Sequence, residues 1–229
     1  MASLTTLRAG TQLTHEIEVR RSRFAATLAR TDTVDQARAL ADSVRAASPG
    51  ARHHCTAWIV AQEDAQPAAH SSDDGEPAGT AGTPMLDVLR SSGLCNVTAV
   101  VTRWFGGILL GTGGLVRAYS SSVSEALARA PKVLLLDLPV VVARLSPAQA
   151  GRVEAELRSS GARILDVAWG QDVVLRAAPG GGAPGSSGRP VDEDGAALRA
   201  RILELTGGEA RCALGERAVC EVDAAAPRP

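Results

Sequence analysis

Asn96-Val97-Thr98-Ala99-Val100-Val101-Thr102-Arg103-Trp104-Phe105-Gly106-Gly107-Ile108-Leu109-Leu110-Gly111-Thr112-Gly113-Gly114-Leu115-Val116-Arg117-Ala118-Tyr119 is the stretch on which the fold turns. Asn96 to Thr102 reads as a strand whose Val97, Ala99, Val100 and Val101 suit a central position. From about Gly113 to Ala130 a helix follows, with Leu115, Val116, Tyr119, Val123, Ala126 and Leu127 recurring at three- and four-residue spacing. The Gly-rich run between them, Thr102 to Gly114, leads from a strand end into a helix start. A helix N-terminus offers free N–H groups to an anion. Gly106, Gly107, Gly111, Gly113 and Gly114 let backbone come close to a partner, and Arg103 and Arg117 add positive charge. No Gly-Lys-Ser/Thr follows, so this is not a Walker loop, and the acidic residue of a dinucleotide fingerprint is missing.

A second Gly-rich run lies upstream: Ser71-Ser72-Asp73-Asp74-Gly75-Glu76-Pro77-Ala78-Gly79-Thr80-Ala81-Gly82. Asp73, Asp74 and Glu76 raise the question of a metal or of acid–base chemistry. Adjacent carboxylates in an extended loop do not converge, however, and Asp-Gly and Glu-Pro are turn chemistry. The hydroxyls of Ser71, Ser72 and Thr80 are the other groups a ligand would meet there. Thr83-Pro84 reads as a helix start, Thr as cap and Pro at the first position, with Met85, Leu86, Val88 and Leu89 buried and Gly93 as stop.

Further out, residues 12–30 read as two strands around an exposed Arg20-Arg21-Ser22-Arg23 segment, and Thr33 with Gln36 opens a helix as a capping box. Cys55 to Ala61 is a strand, and Gln62 to Ala69 a loop. His53 and Cys55, two apart in a strand, share one face, but two ligands are too few for zinc and poorly placed as a nucleophile–base pair. His53 facing the Gly-rich runs is a binding candidate. Trp104 and Phe105 are candidate stacking rings or local anchors.

Beyond a break near Lys132 to Leu138 the order is strand (to Leu145), helix from Ser146-Pro147-Ala148-Gln149, strands Arg163–Ala168 and Asp172–Ala177, a Gly/Ser/Pro linker over 179–190, a helix over 193–206 and a strand over 210–222. That β-α-β-β-α-β order is the ferredoxin-like unit. Val133 to Ala143 reads as the strand entering it, and residues 224–229 as a frayed tail. The chain is therefore α+β, with domains expected at 1–135 and 136–229.

The 229 residues carry a net charge of −1 and 3% aromatics, so no global basic field drives nucleic-acid binding and any such contact needs a local patch. No apolar run of about 18 residues exists and no secretory h-region, so no membrane partner is expected. Four widely spaced cysteines outside any CxxC pattern fit a cytoplasmic protein with reduced thiols. No cofactor is expected.

His53-His54-Cys55, the Ser71–Pro77 and Gly79–Gly82 strings and the Thr102–Tyr119 stretch together resemble the YigZ/IMPACT family, over about Arg20 to Leu127. The resemblance implies a ribosomal-protein-S5-domain-2-like sandwich at the N-terminus and a ferredoxin-like second domain, a pair similar to the last two domains of the translocation factor EF-G. It implies a link to translation and to RNA or the ribosome. Eukaryotic members regulate translation with an additional N-terminal domain for which this sequence has no room, so that role is not carried over. Motif positions are His53, Cys55, Ser71 to Glu76, Gly79 to Gly82, Arg103, Gly106, Gly107, Gly111, Gly113, Gly114, Arg117 and Tyr119. Three positions depart: Ala78 replaces a frequent Ser, Leu109 an occasional Lys, and Trp104 a frequent Tyr.

The expectation is a translation-associated, non-enzymatic protein that binds RNA or a ribosomal component with Arg103 and Arg117 on phosphate. The alternatives are a metal-dependent small-molecule hydrolase using Asp73, Asp74 and Glu76, and a protein-interaction module with Trp104 and Phe105 exposed.

Overall fold

A computed structural model describes residues 4–62, 65–180, 192 and 194–223. The chain divides into two compact units, which meet in sequence between Val133 and Leu134. The first contains β1 (Leu4–Leu7), β2 (Gln12–Val19), β3 (Ser22–Arg30), α1 (Val34–Ala47), β4 (His53–Gln62), β5 (Ala65–Ser72), α2 (Gly82–Ser91), β6 (Val97–Trp104) and α3 (Thr112–Arg129). Five of its strands form an antiparallel sheet in the order β2-β3-β6-β4-β5. The Asn96–Thr102 strand is central, as its sequence requires.

Alternation along the strands sorts the two faces. Phe24, Ala26, Leu28, Cys55, Ala57, Ile59, Val97, Ala99 and Val101 join α2 and α3 in the main core. Trp58, Val60, Ala29 and Val100 lie on the other face, under Ala37 and Leu40 of α1. This helix sandwich buries both faces of β4 and β6, which explains their unbroken apolar pattern. Thr33 Oγ1 accepts the Gln36 N–H at 3.2 Å, and Gln36 Oε1 accepts the Asp32 N–H at 2.6 Å. The cap of α1 is therefore reciprocal, but its second half reaches one residue further back than the standard box.

Two expectations fail here. The loop expected over Gln62 to Ala69 is instead the end of β4 at Gln62 and, from Ala65, the edge strand β5, paired with β4 from Thr56↔Ser72 to Gln62↔Ala65. Its Ala- and Pro-containing sequence carries little strand signal, and an edge position is where Pro67 is tolerated. Nor does Thr83 cap α2. The helix begins at Gly82 with Ala81 as cap residue and no cap bond from that side chain.

β7 (Lys132–Leu138) leads out of the first unit. The second contains β8 (Val141–Leu145), α4 (Pro147–Ser159), β9 (Arg163–Ala168), β10 (Val173–Ala178), α5 (Ala196–Leu205), β11 (Arg211–Leu214) and β12 (Ala218–Asp223). β8-α4-β9-β10-α5-β11 forms the ferredoxin-like unit, its antiparallel sheet ordered β11-β8-β10-β9. One sheet face packs Val141, Ala143, Leu145, Val173, Leu175 and Ala177 against Val153, Leu157, Leu198 and Ile202 of the two helices.

The continuous strand expected over 133–143 is broken between Leu138 and Val141, where Pro139 removes a ladder donor. The strand expected over 210–222 is two strands, β11 and β12. Ser146 makes no side-chain cap bond, and the Gln149 side-chain amide instead donates to Glu209 at 2.6 Å. The linker read over 179–190 falls almost entirely outside the described residues, and so does the tail over 224–229.

Candidate functional site

The two Gly-rich runs meet at one end of the main core, in the first unit. The first closes on itself. Asp73, next after β5, turns its carboxylate back into the loop: Oδ2 accepts Gly79 N–H at 2.8 Å, and Oδ1 accepts Ala81 and Gly82 N–H at 2.9 and 2.8 Å. It thereby caps α2 from nine residues upstream, which is why neither Ala81 nor Thr83 has to. Burial alone would raise this carboxyl, but the N–H groups of Gly79, Gly82 and Ala81 together hold it below the ordinary Asp range. Gly82 is required by contact, since a Cβ there would sit 2.7 Å from the Ser72 backbone.

Asp74, at φ 42°, sends its carboxylate the other way, to the His54 N–H at 2.6 Å and to Arg45 Nη2 at 3.0 Å on α1. His53 Nδ1 donates to the Asp74 carbonyl at 2.9 Å, so His53 fixes the turn. Ser71 and Ser72 belong to β5, and Thr80 donates to the Pro77 carbonyl at 2.6 Å.

Glu76 goes inward. Its side chain is 3% exposed, and Oε1 accepts both Arg103 Nη1 at 2.6 Å and the Tyr119 hydroxyl at 2.7 Å. Arg103, at the end of β6, has its guanidinium carbon 5.4 Å from the Phe24 ring centre and 5.6 Å from that of Phe105. Its Nη2 reaches the buried Ser22 hydroxyl at 3.5 Å, and that oxygen also accepts Gly106 N–H at 3.2 Å. Cys55 donates its thiol to the Asp73 carbonyl at 3.0 Å and lies 3.4 Å from Tyr119 Oη. Burial pushes the Cys55 thiol up to about 12 and raises the Tyr119 hydroxyl as well, so neither is a nucleophile at neutral pH.

This geometry bears on three readings. Arg103 does not face solvent: it is 6% exposed and spent on Glu76, so it is a strut beneath the loops and not a phosphate contact. Asp73, Asp74 and Glu76 do not converge, because each carboxylate is turned to a different set of donors. Among the described residues no group of three His, Cys, Asp or Glu is placed to hold a metal ion. The hydrolase built on those three residues therefore has no centre. Trp104 lies on the opposite sheet face from Arg103, as consecutive strand residues must. Arg23, itself paired with Glu16 at 2.9 and 2.8 Å, covers its ring at 4.8 Å from the centre.

The second run stays open. Gly106 is pinned, since a Cβ there would lie 1.9 Å from the Arg21 carbonyl oxygen, and Gly107 and Gly111 sit at φ +84° and +72°. Beyond them α3 starts at Thr112 with no side-chain cap and no acidic residue in its first turn. Arg117 curls back over that turn, Nη1 lying 3.8 Å from where a Gly113 Cβ would be. The Gly114 Cβ position is 3.0 Å from Leu110 Cβ.

Arg20, at φ 48° in the β2–β3 turn, reaches across to the Leu109 carbonyl at 3.4 Å. Arg20, Arg117, Leu110, Gly114 and Ser121 line a shallow cavity of about 260 Å³. Phe105, Ile108 and Leu109 are exposed beside it, Leu109 by 81%. The Arg20-Arg21-Ser22-Arg23 segment expected to be exposed is so at Arg20, but Ser22 is fully buried, and neither was singled out as part of this site. Their only signal is the Arg20-Arg21 turn, and nothing in it shows which loop it meets.

Residues 20–127 match the Impact N-terminal domain family. The Escherichia coli IMPACT family member YigZ is 45% identical over 161 residues, covering 70% of this chain and 79% of YigZ. The Bacillus subtilis IMPACT family member YvyE is 38% identical over 159 residues, covering 69% and 72%. A crystal structure of a hypothetical protein, 38% identical, superposes with a TM-score of 0.56 over 94% of this chain and 98% of its own. The family match spans both Gly-rich runs, and with relatives at 45% and 38% identity covered over more than two thirds of their length, the chain belongs to the IMPACT family.

Proposed function

We propose that this chain acts in translation by binding RNA or a ribosomal component, and that the contact is the open side of the second Gly-rich run. The observation that carries the proposal is the uncapped start of α3, flanked by the exposed Arg117 and by Arg20. Free N–H groups, the positive end of an eighteen-residue helix and two guanidiniums suit a phosphate. Phe105 offers a half-exposed ring beside it for a base. Gly111 and Gly113 leave room for close approach. Arg103 supports the contact from below by holding Gly106 and Phe105 in place.

In this proposal residues 1–135 form the domain that carries the contact, residues 136–229 a second domain, and the protein works in the cytoplasm. No described helix is long and apolar enough to cross a membrane. The test is Arg20→Ala/Arg117→Ala, measured for affinity to single-stranded RNA and to ribosomal subunits over a salt series. Loss of two phosphate contacts lowers the slope of log K against log salt by about 1.4 on single strands. Unchanged affinity and slope would sink the proposal. A protein partner docking on Ile108 and Leu109 is the second reading. It predicts salt-insensitive capture that survives nuclease and is lost in Leu109→Glu.

A further inference from the structure

The ferredoxin-like sheet of the second unit has one face packed on α4 and α5 and one face outside that core. The strand register shows what stands on the outer face. Arg211 is directly opposite Arg144, which is opposite Val174, which is opposite Ala168. In the adjacent row Ala213 faces Val142, Val142 faces Arg176, and Arg176 faces Asp166. Arg144, Arg176 and Arg211 are all exposed, and none makes an ion pair within 4 Å to a described residue. Asp166 is the one carboxylate in these two rows. Trp169 follows Ala168 at the end of the first row and is 64% exposed.

Like charges directly opposite each other on adjacent strands repel. The sheet core does not require them, because it is built from the other face. Arg144 and Arg211 side by side are therefore unfavourable in the free protein and become favourable when an anion lies between them. Three guanidiniums spread over three strands suit a repeating anion better than a single one. The side chains between them are small, Val142, Val174, Ala168 and Ala213, and the exposed Trp169 follows Ala168 in the turn after β9. That pairing of spaced cations with an exposed ring on an open sheet is the arrangement that holds a single nucleic-acid strand.

We infer that this outer sheet face is a second nucleic-acid surface, which binds single-stranded RNA with Arg144, Arg176 and Arg211 on the backbone and Trp169 against a base. It is separate from the α3 site and does not rest on it. An acidic protein segment would satisfy the arginines but has no use for the small apolar side chains and the indole.

The experiment uses the full chain, a fluorescein-labelled oligouridylate and anisotropy over a salt series. Arg144→Gln/Arg176→Gln/Arg211→Gln is expected to lose at least about tenfold in affinity, with the log–log salt slope shallower by about 2. Arg144→Glu is the second variant: it turns the repelling pair with Arg211 into an attracting one, so Tm is expected to rise while RNA affinity falls. A loss of binding then cannot come from unfolding. Ultraviolet cross-linking of wild type is expected to tag the peptide containing Trp169.

Wild-type affinity and slope in the triple variant would overturn the inference, as would no binding of oligouridylate by wild type at low salt. Displacement of the RNA by oligoglutamate at equal charge concentration would overturn it in favour of an acidic protein partner. Arg20→Ala/Arg117→Ala is measured in parallel. If it alone lowers affinity, the α3 site stands and this surface fails. If the triple variant alone lowers it, the reverse holds.

Discussion

The two Gly-rich runs look alike in sequence and behave in opposite ways. The run at 71–82 carries three carboxylates and closes: Asp73 gathers three backbone N–H groups, Asp74 ties the loop to β4 and α1, and Glu76 plugs the core. The run at 102–114 carries one guanidinium, which the first run takes, and stays open at the start of α3. A carboxylate is an acceptor, and a loop next to a helix start is rich in unpaired N–H donors. An acidic loop there is therefore consumed by its own backbone. An arginine finds no such donors to satisfy, so it either meets a carboxylate, as Arg103 does, or remains outside, as Arg117 does.

The sharpest way to break this contrast is Arg103→Ala. It strands the Glu76 carboxylate in the core and is expected to cost about 3–5 kcal/mol in urea unfolding. Arg103→Leu/Glu76→Leu is expected to cost less than Arg103→Ala, because no buried charge is left behind. Next comes Asp73→Ala, which uncaps α2 and opens the loop, at about 2 kcal/mol.

Asp73 also sets a pH dependence. Its carboxyl is held below the ordinary range in the folded state, so its contribution is complete above the unfolded value of about 3.9 and is lost as pH falls through the folded value. Asp73→Asn is expected to flatten that acid limb in a Tm-against-pH series. Tyr119→Phe removes one hydrogen bond to Glu76 while keeping the edge-on contact with Phe24, and about 1–2 kcal/mol is expected.

Smallest is the effect of Arg20→Ala/Arg117→Ala on stability, within about 0.5 kcal/mol by the same urea assay, since both side chains are exposed. If Asp73→Ala were neutral and Arg117→Ala severe, the contrast between a closed and an open run would be wrong.

Much of the fold was legible because periodicity and turn chemistry are local. β2, β3, β6, α1, α3 and the ferredoxin-like order of the second unit follow from apolar spacing, Gly and Pro. β5 was not, because Ala65-Gln66-Pro67-Ala68-Ala69 has no strand signature and is extended only by pairing with β4. The split at Leu138–Val141 was masked by an apolar run that continues across it.

In the two Gly-rich runs, the residues singled out in sequence do interlock, but in roles the sequence did not show. Arg103 and Asp73 are essential to the geometry, one as a strut and the other as a remote helix cap. Arg117 is exposed and the glycines at 111 and 113 sit at the start of α3, where the proposed contact places them. Arg20 was read as exposed but not as part of this site, since it joins it only where the β2–β3 turn lies against the Leu109 carbonyl.

By itself the sequence determined the helices and the strands whose apolar spacing is local, because those choices depend on neighbours in the chain; β5 and the strand breaks after Leu138 and Leu214 were settled by pairing. It also determined the family, through strings too long to recur by chance. Only the tertiary structure decided which charges remain available. Whether a carboxylate or a guanidinium is spent or free depends on the donor or acceptor placed against it by a distant segment: Glu76 by Arg103 and Tyr119, Asp74 by Arg45 and His54. Burial makes the Glu76 pairing binding, because an unpaired charge in the core costs more than the alternatives open to the loop, whereas the half-exposed Asp74–Arg45 pair is held by geometry alone.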